Sequence, residues 1–257
     1  MKANPYWQLI QLAFPIILAN AAVPLLGRVH TAGIGQTGTA SDLGAIALAS
    51  LIFSFVYWGF GFLRMGTTGF IAQAAGAKHT AELHALVFRT LCIAIGIGLC
   101  LILFQSPIEW VATRALSASP EVNERVRDYF YIRIWGAPAT LMTFALLGTL
   151  IGMGWTRHLL YVQLLLNGLN ILFNLWFVLY AQMGVKGIAL GTLCAEWITV
   201  FIALAIIFKK MELAHPWHRF QLLKQRIFSR SRLWALFQVN SDIMIRTLAL
   251  ITGFAWF

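Results

Sequence analysis

The amino-acid sequence predicts an all-α, polytopic helical membrane protein. Hydrophobic residues make up 60% of the 257 residues, and charged residues make up only 11%. Soluble domains carry roughly 25% charged residues, so this composition points to an apolar solvent. The apolar residues also form long stretches, and a helix needs about 20 such residues to cross a bilayer core. Composition and stretch length together predict the fold class.

Seven stretches are long enough to cross a bilayer as helices. Glycine and proline interrupt many of them, which is common where helices pack against one another in lipid. The second stretch is longer than one crossing requires, so we expect it to tilt or to extend beyond the lipid. The predicted spans are 9–34, 43–75, 84–106, 129–152, 158–181, 186–208 and 240–257.

Basic residues are distributed unequally between the two sides of the predicted bundle. With the N-terminus in the cytoplasm, most of them fall in cytoplasmic segments, as the positive-inside rule requires. This topology accounts for the net charge of +10 without nucleic acid, for which no recognition module is present. The largest group lies in segment 209–239 and comprises Lys209, Lys210, Arg219, Lys224, Arg226, Arg230 and Arg232.

Segment 209–239 has two possible interpretations. Its apolar residues alternate with lysine and arginine in the manner of an amphipathic helix that lies on anionic lipid. Alternatively, the segment is a solvated linker whose charges only fix the topology. The apolar residues on which the first interpretation depends are Phe220, Leu223, Ile227 and Trp234.

Polar side chains recur at helical spacing along one face of three predicted spans. Steps of three and four residues place side chains on the same side of a helix. The second span carries Ser50, Ser54, Tyr57, Gly61, Arg64 and Thr68, the fifth carries Gln163, Asn167, Asn170 and Asn174, and the sixth carries Thr192, Glu196 and Thr199.

These polar faces predict a cavity inside the bundle. Hydrogen bonds between helices are the simpler explanation, each contributing on the order of 0.6 kcal/mol. Four amides on one face are more than hydrogen bonding between helices requires, and the charges of Arg64 and Glu196 are too costly to face lipid. We therefore expect a water-accessible cavity for a solute or an ion.

No sequence motif indicates an enzyme or a metal centre. The chain lacks the nucleophile, zinc and phosphate-binding motifs that the common catalytic folds carry. Cys92, Cys100 and Cys194 all fall within predicted spans and are not at metal-ligand spacing. We expect a non-enzyme with no metal and no cofactor other than a coupling ion.

Two segments indicate an internal repeat. WQLIQLAFPIIL at 7–18 aligns with WALFQVNSDIMI at 234–245, pairing tryptophans, leucines, glutamines and isoleucines. Six spans separate the two segments, so the repeats would run parallel. The predicted organisation is a first lobe of six helices over 1–208, a linker over 209–239, and the start of a second lobe over 240–257.

The sequence resembles the multidrug and toxic compound extrusion (MATE) transporters, and among them the DinF-like branch. The resemblance rests on FPIILANAAVPLLGRVHTAGIG, DLGAIALAS, FLRMGTTGFIAQAAGA, LNILFNLWFVLYAQMGVKGIALGTLCAEW and NSDIMIRTLAL. It implies two six-helix lobes around a cavity that opens to each side in turn. It also implies cation-coupled export of amphipathic or cationic organic compounds across a bacterial inner membrane, with protons or sodium ions as the coupling ion.

The resemblance also implies a coupling site. The family's pattern falls on His30, Asn170, Asn174 and Thr192, of which Asn170 and Thr192 match, while His30 and Asn174 stand where the branch usually has aspartates. An imidazole has an ordinary pKa of about 6.5 and is able to exchange a proton near neutrality, with Glu196 as an acidic neighbour. Alternatively, His30 is a tolerated substitution in a chain that no longer couples ions.

The expected partners are the lipid bilayer and small organic substrates, without nucleic acid. The sequence ends in ITGFAWF, inside an apolar run, so we also expect a second lobe beyond Phe257 in a complete protein. Two other functions stay open: export of a lipid-linked substrate by the same superfamily, and a truncated membrane protein that transports nothing.

Overall fold

The computed structural model describes residues 39–116, 119–213 and 215–256, which are helical almost throughout. The first predicted span, 9–34, lies outside this part of the chain. The described helices are α1 (Ala40–Trp58), α2 (Phe62–Gly76), α3 (Thr80–Leu103), α4 (Gln105–Leu116), α5 (Pro120–Arg133), α6 (Ala137–Gly152), α7 (Thr156–Leu175), α8 (Gly184–Lys210), α9 (Pro216–Ile227) and α10 (Arg230–Trp256).

Five helical segments are long and apolar enough to cross a membrane. They are Ser41–Gly76, Thr80–Leu103, Pro120–Gly152, Thr156–Tyr180 and Gly184–Lys210. These segments confirm the second to sixth predicted spans. The seventh, 240–257, falls within α10, which begins earlier, at Arg230, and contains Asp242 and Arg246. Those charges lower its apolarity, and α10 is not among the five segments.

The long second span consists of two helices separated by a short turn. Thr39 begins α1 with a capping box, in which the Asp42 carboxylate accepts a hydrogen bond from the Thr39 backbone amide at 2.8 Å. The chain then leaves regular helix over 59–61 and resumes as α2 at Phe62. Gly59 and Gly61 lie in this turn, as is common where membrane helices bend. The two halves of the span therefore need not present one continuous face.

Helix α6 is the centre of the bundle, buried along most of its length and in contact with α2, α3 and α8. Small residues allow its neighbours to approach closely. A Cβ atom on Gly148 would stand 2.6 Å from the Arg64 carbonyl oxygen, and one on Gly152 would stand 2.7 Å from that of Thr68. On the other side, a Cβ on Gly98 of α3 would stand 2.5 Å from Pro138 Cα. Glycine at these positions permits backbone-to-backbone packing.

Helix α9 shows that segment 209–239 is partly helical and packed on the first lobe. Phe220 meets Phe88 of α3 edge to face at 5.5 Å, and Ile227 is fully buried. Leu223 also packs against the core. The apolar face that the sequence suggested for lipid therefore contacts α3, because that helix offers an aromatic surface at the same level. Trp234 is exposed.

A buried arginine of α3 holds the C-terminal end of α9 by hydrogen bonds. The Arg89 side chain is only 2% exposed, and its Nε donates to the Ile227 carbonyl at 2.9 Å. Its Nη2 donates to the Arg226 carbonyl at 2.7 Å. These are two of the carbonyls that a helix leaves without partners at its C-terminus. Glu82 balances the charge, pairing with both Arg89 and Arg232.

Replacing Arg89 by alanine should detach α9 from the lobe. The change removes two charge-assisted hydrogen bonds and leaves buried carbonyls without donors, which costs about 2 to 5 kcal/mol. We expect a lower melting temperature in detergent and faster cleavage by chymotrypsin at Phe228. Lys224→Ala, on the exposed side of the same helix, is the control. Equal cleavage of the two variants would contradict the role given to Arg89.

Candidate functional site

A cavity of about 650 Å³ lies among α1, α5, α6, α7 and α8. Its size is in the range of sites that enclose a drug-sized molecule. Polar groups and aromatic rings line it together. The lining residues are Ser50, Leu51, Phe53, Ser54, Phe55, Tyr57, Trp58, Gly61, Tyr129, Arg133, Phe144, Asn170 and Thr192.

Three of the predicted site residues line this cavity directly. They are Tyr57 of α1, Asn170 of α7 and Thr192 of α8, which come from three different spans. Arg64 lines a neighbouring cavity of about 740 Å³ with Met244 of α10. The turn over 59–61 separates Tyr57 from Arg64. The polar residues that were predicted to share one face of the second span therefore line two different cavities. His30 lies outside the described residues.

The asparagines of α7 face α8 where the two helices approach most closely. Asn174 Nδ2 donates to Asn170 Oδ1 at 2.5 Å, and both side chains are buried. A Cβ atom on Gly191 would overlap Asn174 Oδ1 and stand 2.9 Å from the Asn174 backbone nitrogen. Glycine at 191 therefore brings the asparagine pair beside Thr192, the next residue of α8. A π-helical turn, Trp176–Tyr180, follows directly.

The remaining amides of α7 are buried farther along the same face. Gln163 is 8% exposed and Asn167 is 9% exposed. Within the described residues, Gln163 Oε1 and Asn167 Nδ2 have no hydrogen-bond partner. Buried polar atoms are normally satisfied by protein or by ordered water. A hydrated interior would satisfy these two.

The charge of Glu196 is matched by Arg133, which lies outside the polar faces that helical spacing predicts. Arg133 Nη2 donates to Glu196 Oε1 at 2.5 Å, and Nη1 donates to Oε2 at 2.8 Å. Thr140 Oγ1 donates to Glu196 Oε2 at 2.9 Å. The three side chains are buried, so the pair is shielded from solvent. Both ions are held in the paired, hydrogen-bonded state that burial requires.

The local backbone makes room for this pair. Helix α5 tightens into a 3₁₀ turn at Ile134–Gly136 before α6 begins. A Cβ atom on Gly136 would stand 2.6 Å from Arg133 Nη1 and 2.7 Å from Glu196 Oε2. The carbonyl of Gly136 also accepts from Thr140 Oγ1 at 3.1 Å. A side chain at this position would displace the two charged groups from their present places, so glycine fits their contact at this turn.

Arg133 also forms part of the cavity wall. Its guanidinium carbon lies 5.4 Å from the Phe53 ring centroid and 5.7 Å from that of Tyr57, within the range of cation–π attraction. The sequence contained a signal for this residue, because Arg133 falls within the predicted span 129–152 and Glu196 within another. Two opposite charges inside spans are expected to pair.

The cavity combines aromatic walls, neutral hydrogen-bonding groups and one guanidinium whose charge is balanced by Glu196. Such a surface suits an amphipathic molecule, whose apolar part stacks on rings while its polar part meets Asn170 and Thr192. The oxygens of Glu196 are engaged by Arg133 and Thr140. Any exchange of a proton or cation at Glu196 would first have to loosen that pair.

Water should reach Asn170 from the cavity. In a background lacking Cys92, Cys100 and Cys194, Asn170→Cys should react with a charged, water-soluble thiol reagent. Leu172→Cys should stay unreactive, because Leu172 is 59% exposed on the outside of the bundle, where lipid is expected. Labelling is measured by mass spectrometry in liposomes. Equal labelling at the two positions would exclude a hydrated cavity.

Comparison with known proteins identifies the family. A family model described as MatE matches residues 15–176. The chain is 37% identical over 239 residues to the DNA damage-inducible protein F of Escherichia coli, covering 93% of this chain and 51% of that protein. It is 26% identical over 215 residues to the multidrug resistance protein NorM of Vibrio cholerae, covering 80% and 46%.

Solved structures share the fold. A MOP superfamily transporter from Pyrococcus furiosus matches with a TM-score of 0.80 at 20% identity, over 95% of this chain and 53% of that one. A structure of a MATE protein in complex with MaD3S matches with a TM-score of 0.79. The chain thus spans about half the length of the relatives it matches. Family model, sequence identity and fold agree, and the chain belongs to the MatE family of membrane transporters.

Proposed function

We propose that this chain forms one lobe of a secondary active transporter that exports amphipathic or cationic organic compounds. The observation that carries the proposal is the cavity among five helices, to which three membrane spans contribute Tyr57, Asn170 and Thr192. A cavity with aromatic walls and convergent polar groups is the usual form of a binding site for a small molecule. Its place within the spans fits a solute that crosses the membrane.

The chemistry of the lining favours an amphipathic substrate over a small inorganic ion. Phe53, Phe55, Trp58 and Phe144 supply ring faces, and hydroxyl and amide groups stand between them. Aromatic faces attract organic cations and stack on flat apolar groups. The neutral balance of Arg133 with Glu196 leaves the wall without a strong field of either sign. Substrate charge would then affect affinity less than shape and apolar area.

The coupling step in this proposal involves the α7–α8 contact and His30. Asn170 and Thr192 supply an amide and a hydroxyl to the cavity wall, Asn174 is hydrogen-bonded to Asn170 behind it, and Glu196 is paired with Arg133. Carboxylates are the preferred ligands of hard cations, and neither Asn174 nor His30 is one. Proton coupling through an imidazole therefore fits these residues better than sodium coupling.

Transport in this proposal requires a second lobe. Alternating access proceeds by the movement of two bundles around a central site, and this chain spans about half the length of its relatives. The proposed setting is a bacterial inner membrane, with the N-terminus and segment 209–239 in the cytoplasm. Segment 209–239 would then be the linker between lobes, and α10 the first helix of the second.

A chimera tests the function. Replace the corresponding half of the Escherichia coli DNA damage-inducible protein F by this chain, and compare efflux of a fluorescent organic cation from liposomes that contain the chimera or the parent protein. We expect gradient-dependent efflux, a loss of at least tenfold in Asn170→Ala, and no loss in Leu172→Ala, which changes only the outer surface. The same chimera carrying His30→Ala should lose the pH dependence between about pH 5.5 and 7.5.

Two results would contradict the proposal. One is a folded chimera that binds no amphipathic dye and exports none, while the parent protein does both. The other is efflux that survives Asn170→Ala unchanged, which would place the substrate route elsewhere. An unchanged pH profile in His30→Ala would remove the coupling role of His30 and leave the substrate cavity intact.

A further inference from the structure

A separate cavity of about 350 Å³ lies at the end of the bundle that holds the loops between α2 and α3, between α6 and α7, and between α8 and α9. We call it the basic pocket. Its charged and imidazole-bearing lining residues are Lys78, His79, His84, Lys210 and Glu212, and Trp155 lies among them. The cavity described above for transport shares none of these residues.

The basic pocket carries lysines that no described carboxylate neutralises. Among the described residues, no ion pair involves Lys78 or Lys210, and Lys210 Nζ lies 5.3 Å from the centre of the Trp155 ring. Arg219 adds a further cation at the border, because its Nε donates a hydrogen bond to His84 Nδ1 at 3.3 Å. Glu212 is the single acidic residue in the lining.

The opposite end of the bundle has a different balance of charge. There, three basic side chains are paired with acidic ones within the described residues. Arg127 lies 3.0 Å from Glu109, Lys186 lies 3.3 Å from Asp128, and Arg125 pairs with Asp42. Comparing the two ends within residues 39–256, the excess of positive charge lies at the end with the basic pocket. Of these two ends, that one would attract an anionic ligand more strongly.

The backbone holds two charged residues of the pocket in an unusual conformation. Lys78 has φ of 56° and Glu212 has φ of 55°, where residues with a side chain are uncommon. Lys78 follows the end of α2, and Glu212 follows the end of α8. Each lies in a turn closed by a hydrogen bond to the carbonyl five residues back: His79 N to Ala74 O at 3.1 Å and Leu213 N to Phe208 O at 2.9 Å. Glycine is the usual residue in such turns.

The other walls of the pocket are apolar. Ala74, Leu83, Met153 and Met211 contribute hydrocarbon surface beside the lysines. Helices α2, α3 and α8 belong to segments long and apolar enough to cross a membrane, and all three have an end at the pocket. We therefore expect the pocket to lie at the level of the lipid headgroups. Helix α9, which follows, exposes Trp217 to 72%, and tryptophan is enriched at this level of a membrane.

We propose that the basic pocket binds the phosphate of an anionic phospholipid headgroup. Lys78 and Lys210 contact the phosphate oxygens, and the apolar wall accepts the glycerol and the start of the acyl chains. A basic pocket between helices at the end of a bundle is a recognised form of lipid site. The inference does not depend on transport, and a chain that exports nothing would still bind the lipid.

The test compares lipids on the purified chain in neutral detergent. Native mass spectrometry counts retained lipids during titration with phosphatidylglycerol or phosphatidylcholine. We expect selective retention of phosphatidylglycerol. Lys78→Gln with Lys210→Gln should weaken it about 25-fold, since each lysine near an anionic headgroup accounts for about fivefold. The variant that combines Lys78→Arg with Lys210→Arg should retain phosphatidylglycerol. An unchanged melting temperature in phosphatidylcholine verifies that each variant is folded.

The matched control removes the same charge from the same end of the protein. Lys224→Gln with Arg226→Gln changes two exposed cations of α9 outside the pocket and should alter affinity less than twofold. An equal loss of phosphatidylglycerol affinity in both double variants would mean that the lipid is attracted by diffuse charge, and it would overturn the proposed lipid site. Equal retention of the two lipids would overturn it as well. If glycerol 1-phosphate displaces the lipid at equal concentration, the site takes soluble phosphates instead.

Discussion

The buried ion pair between Arg133 and Glu196 is the interaction on which the rest of the site depends. It joins the junction of α5 and α6 to α8 through two hydrogen bonds of 2.5 and 2.8 Å. A buried ion left without its partner costs several kcal/mol, so separating α8 from the junction of α5 and α6 would be costly. Through Arg133 the pair also forms the cavity wall, because the guanidinium lies over Phe53 and Tyr57.

Glycine at the helix contacts makes this arrangement possible. Gly136 leaves room for the ion pair, Gly191 admits Asn174 against α8, and Gly148 lets α2 approach α6. Lipid offers helices no hydrophobic driving force for association, so close packing and hydrogen bonds have to supply it. Tight glycine contacts surround the cavity, while the cavity is lined by large rings. The rigid frame and the open interior thus come from different residues.

Periodicity and composition predicted a large part of this structure, and contacts between spans account for the rest. Spans two to six follow from apolar length, and the face of α7 that carries Asn170 follows from helical spacing. Arg133 was overlooked because its partner lies on another span, and pairing across spans leaves no periodic trace. The turn over 59–61 likewise separated Arg64 from Tyr57. The docking of α9 depends on Arg89, whose partners are backbone carbonyls that any sequence would supply.

A double-mutant cycle on Arg133 and Glu196 tests the central claim most directly. Arg133→Met and Glu196→Met should each lower the stability in detergent by about 3 to 5 kcal/mol, because each leaves one buried charge alone. The double variant should be more stable than either single variant, since it removes both charges together. Thermal unfolding of the four proteins provides the measurement. Losses that simply add in the double variant would contradict the coupling of α8 to the junction of α5 and α6.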